Sequence, residues 1–558
     1  MRVSGKAKGI ITVLLLAAAA VYYYAAIPAF NFHSLGTWKF VLVGIAVLVV
    51  LYGLHCRVRT VEDIRDNRGL KVGIGILLAL LLVLAVGSIL SSPIVNASKY
   101  QKLLTVEERD FAEDIKEADY SQIPLLDKSS AALLGNRKMG SMVDYVSQFE
   151  VSSIYTQINY QDRPVRVTPL VYASAIKWLT NHGEGIPAYI MIDMATQDTE
   201  LVKLENPIRY SESDHFNRNI YRHLRFKYPT YIFDRLSFEI DDEGTPYWIC
   251  PVKTYKIGLF GGETIGRVVL CNASTGETWD YALEDCPEWV DSVCSANLLI
   301  KLYDYYGTLR NGYFNSILGQ KGCLKTTDGY NYLALEDDVW VYTGVTSVSG
   351  DQSNVGFVLM NQRTMETRFY AIPGAEEYSA MESAEGQVQN LGYQATFPLL
   401  LNVAGEPTYF MALKDDAGLV KKYAMVNIQR YQNVAIGDTV PQCERAYVEL
   451  LRDNGVALSG STAQDEAAGT IRKIAQTVVD GNSHYYILLE GSDDIYDVSV
   501  EDFMSIILYD TGDQVTFGYV QEEGYRTVVT LDGESAAVRE NPEAEGTGTG
   551  ELTTEPAV

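Results

Sequence analysis

Three long apolar runs crowd into the first ninety residues and constrain the fold more than anything after them. They span 9–30 (GIITVLLLAAAAVYYYAAIPAF), 40–55 with its flanks, and 72–90 (VGIGILLALLLVLAVGSIL). About 20 apolar residues, each rising roughly 1.5 Å, match the hydrocarbon thickness of a bilayer. The first and third runs meet that length, and the second does once Thr37, Trp38, Lys39 and Cys56 are included. Tyr22, Tyr23, Tyr24 and Trp38 fall where an interfacial aromatic belt belongs. A basic start (MRVSGKAKG) before an apolar stretch also describes a secretory signal. The two further runs close behind it favour a three-span membrane region over residues 1–96.

Charge then sets an orientation. Arg2, Lys6 and Lys8 precede the first run, and Arg57, Arg59, Arg65, Arg68 and Lys71 fill the second loop, whereas the first loop holds only Lys39. The positive-inside rule puts the amino terminus and second loop in the cytoplasm, so that residues after about 91 are extracytoplasmic. Residues 1–96 hold nine of the 45 basic residues and three of the 71 acids, so the chain's net charge of -26 comes wholly from the remainder. A body this acidic argues against a nucleic-acid partner, since phosphate binding needs clustered Lys and Arg.

The body reads as α+β. Residues 103–123 (LLTVEERDFAEDIKEADYSQI) carry apolar residues near helical spacing, so 97–148 is expected to be a membrane-proximal helical segment. From 149 to 437, runs rich in Val, Ile, Tyr, Phe and Thr alternate with short helical stretches. This region divides into a first module pair, 149–292, and a second module, 293–437. Small, polar residues around 453–469 place a linker within 438–469. Residues 470–532 suit a small OB-like β-barrel. The tail 533–558 is acidic and nearly devoid of apolar residues, so it is expected to be disordered.

Two local patterns recur. Gly-x-Pro at Gly185, Gly244 and Gly405 is followed each time by an aromatic, apolar run. Glycine there supplies positive φ at a hairpin turn, and Pro187, Pro246 and Pro407 open the return strand where no ladder donor is needed. What precedes Gly185 looks helical, so that case departs from the others. The second pattern is Asn/Asp-x-x-Thr, in NASTGE (272–277), NQRTME (361–366) and, less clearly, DMATQD (193–198). Here the first side chain bonds its own backbone in a turn between strands. Together they predict a repeated α+β module.

A helix followed by strands that end in VVLCNASTGE resembles the PepSY module of bacterial envelope proteins, whose last strand closes on Asp-x-x-Thr-Gly-Glu. Asn272 stands where Asp is usual, and Met365 stands where Gly is expected in the second copy. The resemblance covers 210–282, with a fainter echo over 338–432. It implies an extracytoplasmic binding or inhibitory module, with no catalytic residues to carry over.

No reactive motif emerges. The six His show no metal spacing, and neither a nucleophile elbow nor a Walker loop is present. The Gly-rich 258–266 lies between strand runs and reads as a hairpin loop, so neither cofactor nor metal is expected. Arg218, Arg222 and Arg225 form one stripe on a helix expected over 214–228, opposite Phe216, Ile220 and Leu224. That stripe is a solvated face or a contact for an anion or acidic polymer. Acidic groups at Asp241, Asp242 and Glu243, at Glu336, Asp337 and Asp338, and at Asp415 and Asp416 lack calcium-loop spacing and read as polar turns. Cys250 and Cys271 flank one loop on neighbouring strands and are the pair for a disulfide, the alternative being buried thiols.

These features point to a membrane-anchored envelope protein that binds a protein, peptide or polymer and has no catalysis of its own. The alternatives are an envelope enzyme, hydrolase-like, whose site no local motif reveals, or an accessory subunit of a transport or secretion assembly.

Overall fold

The computed structural model describes residues 5–56, 58, 60–117, 123–348, 353–454, 465–479, 482–500, 503–521, 526–532 and 534–535. The acidic tail after 535 and most of the stretch 453–469 lie outside the described residues. The protein mixes helix and sheet. It divides into two compact units, one of residues 1–114, 119–400 and 411–421, the other of 115–118, 401–410 and 422–558.

The amino-terminal helices are α1 (Gly5–Ala26), α2 (Leu35–His55) and α3 (Arg68–Leu90), followed by the short α4 (Pro93–Gln101). Among the described residues α2 and α3 are long and apolar enough to cross a membrane, while the apolar part of α1 that is described, Leu16–Ala26, is shorter. None of the apolar window of α2 or α3 is buried in the protein. Leu48, Leu54, Leu78 and Leu82 on these helices are exposed. The Ser34 hydroxyl caps α2 and the Asn67 side chain caps α3.

The helix expected over 103–123 does not form. Residues Glu107–Arg109 instead make a short parallel strand against Arg368, Phe369 and Tyr370, and Phe111–Asp114 is a single helical turn. Leu104, Phe111 and Ile115 are buried, so the apolar spacing is real, but strand pairing rather than helix formation satisfies the backbone.

The body is built four times on one plan. In the first repeat, α5 (Lys128–Gly140) precedes β1 (Thr156–Tyr160), β2 (Arg163–Tyr172), β3 (Ile186–Asp193) and β4 (Thr199–Ile208), with α6 (Ala175–Asn181) inserted before β3. The second has α7 (Ile220–Lys227), β5 (Ser237–Ile240), β6 (Pro246–Ile257), β7 (Gly261–Asn272) and β8 (Thr278–Ala282). The third has α8 (Ala296–Thr308), β9 (Asn331–Leu335), β10 (Asp338–Ser347), β11 (Ser353–Asn361) and β12 (Thr367–Tyr370). The fourth has α9 (Glu377–Gln387), β13 (Leu399–Val403), β14 (Glu406–Lys414), β15 (Val420–Asn427) and β16 (Val434–Gly437). In every sheet the strands lie side by side in chain order. Each edge strand is also broken: a short piece at Phe149–Val151, at the Phe233–Val252 bridge, at Leu324–Thr326 or at Gln394–Ala395 pairs farther along the second strand.

Both recurring sequence patterns mark this plan. Gly244 (φ +78°) and Gly405 (φ +82°) turn between the first and second strands of their repeats. The first and third repeats turn there on Gln161 and Asp162 or on Glu336 and Asp337, all at positive φ. Gly185 (φ +91°) sits before a third strand instead, after α6, and is not equivalent. The polar turn joins third to fourth strand. Asp193 Oδ1 accepts from the N–H groups of Ala195 and Thr196, Asn272 Oδ1 from Ser274 and Thr275, and Asn361 Oδ1 from Arg363 and Thr364, at 2.8–3.0 Å. The third residue after the Asn or Asp is always Thr, but the fourth, at the αL position, is Gln197, Gly276 or Met365. Asn427 does the same for a longer turn in the fourth repeat.

The expected linker also holds structure, because α10 (Val440–Asp453) buries Cys443, Tyr447 and Leu451. The last sheet begins at Asp465 and comprises β17 (Asp465–Val479), β18 (Asn482–Leu489), β19 (Ile495–Ser499), β20 (Gln514–Gln521) and β21 (Arg526–Leu531). Its order is β19-β18-β17-β20-β21, with the short strand Glu534–Ser535 beside β21 and a further parallel pairing of Tyr496 and Asp497 against Arg526 and Thr527. Ile487, Val498, Phe503 and Phe517 fill its core.

Candidate functional site

Strand β2 is buried on both faces for most of its length. Val165 and Val167 join the main core, so the alternating period of a strand turns Arg166 and Thr168 to the other side. There Arg166, only 4% exposed, borders a cavity of about 760 Å³. The breaks in all four edge strands line this cavity, through Tyr155, Arg235, Tyr330 and Phe397. The Tyr155 hydroxyl fits a notch on α5 that only glycine leaves, since a Cβ at Gly135 would lie 2.4 Å from it.

The lining carries five cations, Lys128, Arg166, Arg235, Lys253 and Lys301, against the carboxylates of Asp127, Asp234 and Glu263. All three carboxylates are already engaged. Lys253 Nζ lies 2.9 Å from Asp234 and 2.7 Å from Glu263, Lys301 reaches Glu263 at 3.4 Å, and Lys414 holds Asp127 at 2.7 Å. Burial works against the Asp127 carboxylate, but hydrogen bonds from Lys414 and the Ser130 N–H outweigh it and hold the group at about 2. Among the described residues Lys128, Arg166 and Arg235 have no ion-pair partner. Arg166 Nη2 donates to Gln157 Oε1 at 3.1 Å, while Arg166 Nε and Gln157 Nε2 are buried without partners. Burial and the nearby Arg235 and Arg166 lower the Lys128 ammonium from its usual range, and burial lowers Arg166.

One helix end adds to this field. Ser295, Ala296, Asn297 and Leu298 line the cavity at the start of α8, whose N-cap Ser295 makes no side-chain capping bond. First-turn N–H groups carry the positive end of the helix dipole and favour a bound anion. Tyr155, Tyr330, Tyr332 and Phe397 supply apolar wall. No His or Cys is among the lining residues, and the three carboxylates are engaged in ion pairs. The arrangement suits holding an anion.

Behind the wall lie two buried carboxyls. Glu239 accepts from the Asp291 and Ser292 N–H groups at 2.9 Å, and Asp291 Oδ2 accepts from the Asn159 N–H at 2.7 Å. Burial pushes Glu239 up to about 7, and burial together with Glu239 raises Asp291 well above the usual carboxylate range.

The residues singled out by sequence lie elsewhere. Residues 214–228 form a short 3-10 turn, Phe216–Arg218, and then α7, so the three arginines do not share one helix. Phe216 takes φ +54° and is 63% exposed, whereas Ile220 and Leu224 are buried as the stripe requires. Arg218 donates to the His182 carbonyl at 2.6 Å, Arg225 to Ile27 and Tyr231, and Arg222 lies 4.8 Å over the Tyr24 ring. Cys250 and Cys271 are buried free thiols on paired strands, offset by two residues in register, each bonded to a backbone carbonyl. Asp241, Glu336, Asp337 and Asp415 sit in hairpin turns. Arg166, Gln157, Arg235 and Lys128 escaped the sequence reading. The available signal was a charged residue within RPVRVTPLVY, but period alone cannot tell a buried second face from a solvated one.

No protein-family model matches the chain, and no curated protein matches it. Among solved structures it is similar to an apocarotenoid oxygenase mutant of Synechocystis, at 8% identity over 52% of this chain and 65% of the oxygenase, with a TM-score of 0.16. The alignment therefore spans just under two thirds of that enzyme. It is also similar to the GH32 beta-fructofuranosidase BmSUC1 of Bombyx mori (9% identity, 71% and 70% of the two chains, TM-score 0.17) and to the polysaccharide lyase Uly1 (9%, 62% and 74%, TM-score 0.13). At these scores the likenesses establish neither fold nor activity for this chain.

Proposed function

We propose that the protein is a membrane-anchored extracytoplasmic binding protein whose cavity holds an anionic ligand, either a small carboxylate or phosphate compound or the end of an anionic envelope polymer. The observation that carries this reading is Arg166, a buried guanidinium with no carboxylate partner, flanked by Lys128 and Arg235 in a chain whose net charge is -26. Burying an isolated cation is expensive, and an incoming anion compensates it. A cavity of about 760 Å³ lies within the size range of ligand sites. Arginine suits planar, bidentate recognition of carboxylate or phosphate.

In this reading α1, α2 and α3 make three spans with the amino terminus in the cytoplasm, and the four repeats are PepSY-like binding modules. The extra β19–β21 pairing supports a small OB-like barrel after them. The protein acts by binding and not by catalysis. Calorimetric titration of the detergent-solubilised full chain with citrate, inorganic phosphate, sulfate and oligogalacturonate tests the idea. At least one anion should bind, with affinity falling as salt rises. No binding by any of the four, at low salt, overturns it.

A further inference from the structure

The ends of the amino-terminal helices touch four stretches of the body: 91–106, 215–233, 254–262 and 305–327. After α1, Phe30 N–H donates to the Pro229 carbonyl at 2.7 Å, Asn31 Nδ2 donates to Thr230, and Tyr24 stacks on Phe226. At the end of α3, Ser91 Oγ accepts from the Leu259 and Phe260 N–H groups at 2.7 and 3.1 Å. Trp38 meets Phe260 edge-on, and His33 Nδ1 lies 2.7 Å from the Leu259 carbonyl. Tyr100 of α4 then packs with Ile257 and Leu309, and Tyr313 joins them.

These stretches are richer in Lys and Arg than the rest of the body. They hold ten Lys or Arg and no Asp or Glu, in a chain with 71 acids. The segment after Tyr313 is also apolar and open, with Phe314 70%, Ile317 54% and Leu318 80% exposed. Cations thus predominate in these segments, with Glu107, Asp214, Asp234, Glu263, Asp304 and Asp328 just beyond their ends, and an apolar loop stands beside them.

We infer that this basic face lies on an anionic lipid surface, with Phe314, Ile317 and Leu318 inserted among the headgroups. The inference rests on the membrane reading above. Lysine and arginine near an anionic leaflet each contribute favourably, and apolar side chains add the buried area that fixes the depth. The continuity with α3 through Ser91 and with α4 through Tyr100 selects a lipid surface over a soluble partner.

The test uses the full chain carrying Cys56→Ser, reconstituted in phosphatidylcholine vesicles with or without phosphatidylglycerol. A polarity-sensitive fluorophore is placed at Leu318→Cys and, in a second sample, at Leu82→Cys within α3. The Leu318 probe should be quenched by lipids with brominated chains, shielded from aqueous iodide, and more so when phosphatidylglycerol is present. A Leu318 probe open to iodide and silent to bromolipid, beside a lipid-quenched Leu82 probe, overturns the docking while leaving the spans intact. A Leu82 probe that reports water overturns the membrane reading and this inference with it.

Discussion

Gln157 and Arg166 stand directly opposite each other on β1 and β2, joined by one hydrogen bond of 3.1 Å from Arg166 Nη2 to Gln157 Oε1 that leaves Gln157 Nε2 and Arg166 Nε buried without partners. A donor-rich pair facing a cavity is incomplete without an acceptor, and completing it defines what the site takes.

Arg166→Met keeps most of the volume and removes the charge. Its unfolding free energy should hold or rise, by up to about 4 kcal/mol, since the variant no longer buries an unpaired charge. The rise in thermal midpoint caused by the bound anion should vanish. Calorimetry with and without ligand reads both, and an undiminished ligand effect would mean that the anion, if bound, sits elsewhere.

The buried Glu239 and Asp291 pair sets a pH dependence. The folded protein keeps a proton on Glu239 up to about 7, while the ordinary value is 4.5. Between those values the folded state holds more protons than the unfolded chain. Stability is therefore fully present below 4.5 and declines as pH rises through 7, by roughly 1–3 kcal/mol. Urea midpoints at mildly acid and mildly alkaline pH should show this loss in the natural chain, and Glu239→Gln should flatten it. An equal slope in the variant rules out the pair as its source.

Gly405 turns between β13 and β14 at φ +82°. A β-branched side chain there is strained, so Gly405→Val should destabilise by about 1–3 kcal/mol. Anion binding, measured where the variant is still folded, should be unchanged, because Gly405 does not line the cavity. Loss of binding in a folded variant would tie this turn to the site.

Ser98 is exposed on α4, just beyond α3. A Ser98→Cys variant should react with a membrane-impermeant maleimide on intact cells. Labelling only after permeabilisation would place the body in the cytoplasm and reverse the proposed orientation.

Much of the architecture was legible because local chemistry specified it. Gly244, Pro246, Gly405 and Pro407 announced hairpins through φ preference and a missing donor, and Asn272 and Asn361 announced turns through a side chain that bonds its own backbone. Asp193 looked the weakest of the three, yet its turn has the same bonds, since the αL position tolerates Gln197 as it tolerates Met365. The sequence offered a module pair over 149–292 but a single module over 293–437, where two repeats lie and the first of them turns on Glu336-Asp337 without glycine. The same limit misled the reading of 103–123, where helical spacing gave way to a strand partner more than 250 residues away.

By itself, then, the sequence determined the apolar helices, the strands with their turns, and the acidic charge beyond them. Those properties depend on neighbours within a few residues. The cavity was decided only by tertiary structure. Arg166 lies on β2, while Arg235, Tyr330 and Phe397 lie in the breaks of three different edge strands, and none carries a local signal. Only when the broken edges meet does a guanidinium on the second face of β2 become buried without an ion-pair partner and therefore able to recruit an anion, because desolvation is a property of the assembled surroundings and not of the residue.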